Sequence, residues 1–347
     1  MPPSTLQESL QKTPPNKLGL AAPSVLKQAP IMSTPATSLR PPPMPQSLDN
    51  LLVIGISSRA LFDLETEEAI FRQHGLEEYR RHQLLNENEI LKPGAGFALV
   101  KALLKLNRLT GQRFVEVVVM SRNSSETSMR IFNSIKHYGL DITRAVLSGG
   151  ASLAPYLQAF NVSLFLSLHE DDVQAAVNSG VAAALLYQKP ENALEELEQI
   201  RIAFDGDAVI FSDESERIYQ TEGIEAFEKH ERENALLPLP QGPFARLLLA
   251  LSYIQNNFKN PDGHAAPIRT ALVTARSSPA HERVIRTLRA WNVAIDETFF
   301  MGGIVKSDVL SAFKPHMFFD DHPDHCDRAA NKVQTGRVPW KQAGEFE

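Results

Sequence analysis

The stretch RIAFDGDAVIFS, residues 201 to 212, is a short apolar run that ends on two carboxylates, Asp205 and Asp207, separated by Gly206. An apolar run of this length that breaks into Gly and Asp reads as a buried strand with a loop after it. A stretch of the same apolar character lies 148 positions earlier: VIGISSRALFDL, residues 53 to 64, keeps the run but puts Ser57 and Arg59 where the aspartates stand. One copy carries acidic chemistry and the other does not.

Outward from this pair the correspondence continues. At the same shift, Gly75, His82, Asn86 and Gly94 match Gly223, His230, Asn234 and Gly242. Further on, aligning Arg122 with Arg276 sets VVVMSRNSS (117 to 125) against TALVTARSS (270 to 278) at an offset of about 154, which pairs Met120 with Thr274. The offset settles at 153, where Ser148-Gly149-Gly150 meets Met301-Gly302-Gly303. Self-similarity this long predicts an internal duplication. Each copy alternates short apolar runs with longer amphipathic ones, the pattern of strands joined through helices into a parallel sheet. The expectation is therefore α/β, with two Rossmann-type lobes at residues 49–190 and 198–347. In the second, strands are predicted at 201–205, 270–274, about 297–301 and 316–320. Helices are predicted at 243–256, 280–291 and 305–313, with a small helical cap segment at about 222–240.

Composition agrees with two lobes and narrows the partners. At 347 residues the chain exceeds the size at which single cores stop growing. Apolar residues make up 43% and charged residues 22%, as in soluble globular proteins, and no apolar run approaches the roughly 20 residues a bilayer crossing needs. A net charge of -6 and a pI near 6.0 argue against binding to a nucleic acid polymer, although local cations can still hold a small anion. Cys326 is the only cysteine, which rules out an intramolecular disulfide and fits a reducing, cytoplasmic location. Residues 1–48 hold eleven of the 23 prolines and are expected to be a disordered tail, with no secretory apolar core and too many prolines for an amphipathic transit helix.

Ligands in open α/β sheets sit at the carboxyl ends of the strands. In the second copy those ends carry Asp205 and Asp207, then Thr274, then Lys306 at the start of a later helix, then Asp320-Asp321. This order of D-x-D, T, K and D-D resembles the four motifs of the haloacid-dehalogenase-like (HAD-like) phosphotransferases. Within them, FDGDAVIFSDESERIY, PIRTALVTARSS and FFDD resemble the cytosolic 5'-nucleotidase I family, over residues 51 to 340.

The resemblance implies a Mg²⁺-dependent phosphatase that removes the 5'-phosphate of nucleoside monophosphates, with AMP and deoxynucleoside monophosphates as substrates. It implies Asp205 as the nucleophile that forms an aspartyl-phosphate, and Asp207 as acid and then base. Thr274 and the amides of Ala275 and Arg276 would bind phosphoryl oxygens, and Lys306 would neutralise charge. Asp205, the carbonyl of Asp207, Asp321 and Asp320 would supply hard oxygen ligands to Mg²⁺, with Asp321 favoured over Asp320 as the direct ligand. A structural role for Arg276 stays open beside the substrate role. Zinc at His322, His325 and Cys326 is set aside, because Pro323 and irregular spacing spoil a four-ligand site, and the two histidines read as loop residues near the mouth.

Two rival readings stand. One is a HAD-like phosphatase acting on another small phosphate ester, and the other is a non-catalytic nucleotide-binding sensor. The first copy lacks every motif and is expected to be a degenerate, non-catalytic lobe. Its rim of Ser57, Ser58, Arg59, Ser121, Arg122 and Asn123 could either complete the substrate pocket or hold a nucleotide effector such as ADP. Homo-oligomerisation stays open.

Overall fold

Leu52–Ile56 (β1) and Val115–Ser121 (β2) are buried at every position, the mark of strands covered on both faces. The structure is a computed structural model and describes residues 48–188, 199–258 and 267–342. The predicted tail, apart from its last residue, and the junction between the predicted lobes lie outside the described residues. The first half continues with β3 (Arg144–Leu147), β4 (Leu164–Ser167) and β5 (Ala183–Leu186). The second half holds β6 (Ile200–Phe204), β7 (Ile268–Thr274), β8 (Glu297–Phe300), β9 (Met317–Asp320) and β10 (Thr335–Arg337). Helices Ala245–Asn257, His281–Ala290 and Lys306–Phe313 fall where the periodicity puts them. The cap segment starts earlier than predicted, as two helices, Glu214–Glu222 and Ile224–Glu233.

The sequence predicts two lobes, but the strands form one ten-stranded sheet in the order β3-β2-β1-β4-β5-β10-β9-β6-β7-β8. Within each half the strands are parallel. The halves join where β10 pairs antiparallel with β5, Gly336 opposite Leu186 and Arg337 opposite Leu185. Pairing covers two strand edges that would otherwise be open. Gly336 permits the approach, since a Cβ there would lie 3.1 Å from Ala184 Cβ and 3.2 Å from Phe319 Cδ1. This seam has a topological result. Because it is antiparallel, the carboxyl ends of β1, β2 and β4 lie at one edge of the sheet and those of β6, β7 and β9 at the opposite edge.

One face of the sheet carries a core shared by both halves, with Ile54, Leu103, Phe204, Leu248 and Phe319 among its members. Helix Phe97–Thr110 reaches across to β6, and Ala245–Asn257 reaches β1. The latter buries Leu247, Leu248, Leu251 and Ile254, the three- and four-residue spacing of an amphipathic stripe. The other face holds separate cores, around Leu157 and Val173 in the first half and Leu310 and Phe318 in the second.

Local contacts recur between the halves. Leu91 N donates to Ser134 Oγ (3.0 Å), and Leu239 N to Thr287 Oγ1 (2.9 Å). Arg130 Nε donates to Glu89 O (2.9 Å), and Arg283 Nε to Leu237 O (3.0 Å). Gly75 and Gly223 both break their helices at positive φ, 82° and 85°, a conformation glycine adopts without a steric cost.

The sheet register corrects one alignment. Ile54 faces Val117 in the first half, and Ile202 faces Thr270 in the second, so Thr274 corresponds to Ser121 and not to Met120. Arg276 then corresponds to Asn123, not Arg122. The same hydrogen bond occurs at both places: Asn123 N to Ser121 Oγ at 3.1 Å, and Arg276 N to Thr274 Oγ1 at 3.2 Å. Two isolated arginines drew the alignment off by one, and the backbone ladder fixes it. The first half therefore keeps one motif hydroxyl.

Candidate active site

Three strand ends and one helix start meet at the carboxyl edge of β6, β7 and β9. Asp205 follows β6, almost fully buried, with its amide donating to Phe319 O at 2.8 Å. Lys306 opens its helix and is also buried, with Nζ 2.8 Å from Asp205 Oδ1 and 2.7 Å from Asp320 Oδ2. Thr274 ends β7, beside the Gly206 turn: a Cβ on Gly206 would lie 3.2 Å from its Oγ1. Asp320 ends β9 and is fully buried, with Oδ1 accepting from His322 N at 2.9 Å.

The turn Gly206–Ile210 that follows Asp205 is wide and tightly held. Ala208 sits in the left-handed region at φ 58°, a strained conformation that persists only where surroundings enforce it. Here the enforcement comes from Gly242 N donating to Ile210 O (2.8 Å) and Phe244 N to Val209 O (2.9 Å).

Charge is crowded at this edge. Burial, then the neighbouring Asp320 and Asp207, push the Asp205 carboxyl up to about 7 against the pull of Lys306. Burial, then Asp205 and Asp320, push Asp321 up to about 8, although Trp340 Nε1 donates to its Oδ2 at 2.7 Å. For Asp320 burial works the other way from the net result: Lys306 and His325 hold its carboxyl below the ordinary range. Lys306 is raised despite burial, because Asp205 and Asp320 flank it. Two buried carboxyl groups thus share one ammonium, with Asp321 beside them, and the surplus of hard oxygen donors suits a small divalent cation. Asp205, Asp320 and His325 each offer a ligand atom, all within 4.8 Å of one another.

The structure brings Asp205, Thr274, Lys306 and Asp320 together, with Asp321 at their side. Ala275 is exposed at the turn after β7. Arg276 is buried, and its fork takes both oxygens of Asp207, at 2.8 and 2.6 Å. Its remaining nitrogen meets Glu231. Sequence reasoning missed Glu231 and Trp340 as neighbours of the site, and took His325 for a mouth residue. His325 Nδ1 stands 3.3 Å from Asp320 Oδ2. Its spacing, two residues into the helix Pro323–Ala330 that follows Asp320, was the available signal.

The first-half rim cannot complete this pocket, because it lies at the opposite edge of the sheet. Its cations are also taken: Arg59 pairs with Glu65 (2.8 Å) and Glu68 (3.2 Å), and Arg122 with the buried Asp172.

The profile of the 5'-nucleotidase family matches residues 44–345. The chain belongs to the 5'-nucleotidase family. It is 40% identical over 296 residues to the human protein named cytosolic 5'-nucleotidase 1B (Homo sapiens), an alignment that takes in 83% of this chain and 48% of that protein. The chain thus spans about half the length of that curated relative. Among solved structures, histidinol dehydrogenase from Elizabethkingia anophelis aligns over 70% of this chain and 49% of its own, at 11% identity and a TM-score of 0.22, too low to bear on the fold. Among the described residues, no helix of this 5'-nucleotidase family member is long and apolar enough to cross a membrane.

Proposed function

We propose that the chain is a Mg²⁺-dependent 5'-nucleotidase that hydrolyses nucleoside 5'-monophosphates, AMP and deoxynucleoside monophosphates included, at the carboxyl edge of β6, β7 and β9. The observation that carries the reading is the buried Lys306 bridging Asp205 and Asp320 beside Thr274. That arrangement pairs a carboxylate nucleophile with the cation and hydroxyl an anionic phosphoryl group needs. We further infer that the two halves are HAD-like units descended from a duplication, the first without catalytic carboxylates. Recurrence of the same hydrogen bonds at matching positions supports it.

In this reading an oxygen of Asp205 attacks phosphorus, and the bond between phosphorus and the 5' oxygen breaks. Asp207 gives its proton to that oxygen and the nucleoside leaves. Water then attacks the aspartyl-phosphate, its proton passes to Asp207, and phosphate departs with the Asp205 carboxylate restored. Thr274 Oγ1 and the amide of Ala275 hold the phosphoryl oxygens, the Arg276 amide being turned to Thr274 Oγ1 and so steadying that hydroxyl, while Lys306 keeps Asp205 oriented and offsets phosphate charge. Asp205, Asp320, Asp321 and the Asp207 carbonyl would hold Mg²⁺, which lessens repulsion between carboxylate and phosphate.

The test is a panel of phosphate esters with and without Mg²⁺. AMP, IMP and dTMP should be hydrolysed faster than a generic sugar phosphate, and chelation should abolish the activity. An Asp205→Asn enzyme should lose roughly 1,000-fold or more, since an amide cannot form the acyl-phosphate. Equal rates across the panel would remove the nucleotide assignment, and an active Asp205→Asn enzyme would remove the mechanism.

A further inference from the structure

Arg276 is 4% exposed, and every arm of its guanidinium is in use. Nε and Nη2 grip Asp207, and Nη1 donates to Glu231 Oε2. Glu231, 1% exposed on the helix Ile224–Glu233, is itself fixed: its Oε1 accepts from Ser215 Oγ at 2.8 Å and from Arg283 Nη1 at 2.9 Å. The ring of Phe227, on the same helix, lies 5.4 Å from the Arg276 guanidinium carbon. A chain of buried polar contacts therefore runs from the helical segment over the site to the carboxylate two residues after the nucleophile.

Buried arginine–glutamate pairs are common structural devices, so folding alone could explain the chain. The first half of the protein is the control. By the register of the sheet and the shift of the preceding segment, Asp207, Arg276 and Glu231 correspond to Arg59, Asn123 and Gln83. Arg283 corresponds to Arg130 and Ser215 to Glu67. In that half Arg130 pairs with Glu67, both buried. The structural pair is thus kept, with its carboxylate moved from the second position to the first. Only the arm that reaches Asp207 is missing, and it is missing where the catalytic carboxylates are missing.

We propose that Glu231, acting through Arg276, is the positioning residue that sets the Asp207 carboxyl group, protonated before the step, for delivery of its proton to the leaving oxygen. A guanidinium on a long stem would grip Asp207 in more than one orientation; a second carboxylate on its far side leaves one. Glu231 is in turn held by Ser215 and Arg283, so the placement is inherited from the helical segment. The inference rests on the reading of Asp207 as the acid.

The experiment compares two esters in the first turnover of the full chain with Mg²⁺. Adenosine release from AMP needs a proton on the leaving oxygen, whereas p-nitrophenol is released from p-nitrophenyl phosphate as a stable anion. Two variants are used: Glu231→Gln, and Glu231→Gln combined with Ser215→Glu, which reproduces the charge arrangement of the first half and leaves Arg283 a carboxylate. The double variant should unfold within a few degrees of the parent. It should release adenosine about 100-fold more slowly and p-nitrophenol within about threefold of the parent rate, the selectivity expected from a misplaced acid. Equal slowing of both esters, slowing of neither, or failure of the double variant to fold would each overturn the proposal. Asp207→Asn, run alongside, separates the two levels: if it slows both esters equally, Asp207 is not the acid, whatever Glu231 does.

Discussion

Gly242 shows how much one missing side chain supports. A Cβ there would lie 2.2 Å from Phe211 O and 2.6 Å from Val209 O, backbone atoms that cannot rotate aside. Its first-half counterpart, Gly94, is closed in by Ala60 O and Phe62 C at 2.8 Å. Gly242→Ala should therefore cost about 2 kcal/mol or more in urea unfolding. It should also lower activity in the folded fraction, because the strained Ala208 turn depends on that contact. A cost near zero would mean the turn moves freely. At this scale the acidic site was readable, since Asp205, Thr274, Lys306 and Asp320 stand at breaks in apolar runs. Glu231 was not. In IEAFEKHERE, charged at six of ten positions, nothing distinguishes the one glutamate that turns inward from the solvated ones.

Among elements, the strand β6 and the loop before β9 meet through His316. Its Nδ1 accepts from Arg201 N at 3.1 Å, and its own amide donates to Arg201 O at 2.7 Å. Burial, with the Arg201 charge nearby, holds its ring down to about 4, so the folded protein keeps it neutral. The unfolded chain takes up a proton from near 6.5 downward, and the folded chain does not until near 4. Stability from this residue is therefore complete above about 6.5 and is lost as pH falls towards 4, by about 3 kcal/mol from the size of the shift. Denaturant unfolding at pH 7 and pH 4 should show a loss smaller by that amount in His316→Asn, which keeps an acceptor but does not titrate. Equal losses in both proteins would refute the assignment. Element positions were largely legible, because apolar runs and amphipathic stripes report burial directly. The early start of the cap helices was not, since Glu214–Glu222 has the charge pattern of a loop or a solvated helix alike.

For the whole molecule, the shared core predicts a single thermal transition and not two. Leu103, 2% exposed in that core but far along the chain from the proposed catalytic residues, tests it. Leu103→Ala should cost about 2–5 kcal/mol and lower the unfolding midpoint seen by a probe in either half. Two separated transitions, with only the first shifted, would show independent lobes. The joining of the halves was not legible in the sequence: β5 (AALL) and β10 (TGR) are too short to reveal which strand they will meet or in which direction.

The antiparallel meeting of β5 and β10 carries a kinetic consequence. With the two sets of strand ends pointing to opposite edges, a molecule seated at the carboxyl ends of β1, β2 and β4 shares no space with a nucleotide at the proposed site. Substrate and such a molecule could be bound at once, so an inhibition acting on affinity would level off at a finite apparent KM as the second molecule is raised, instead of rising without limit.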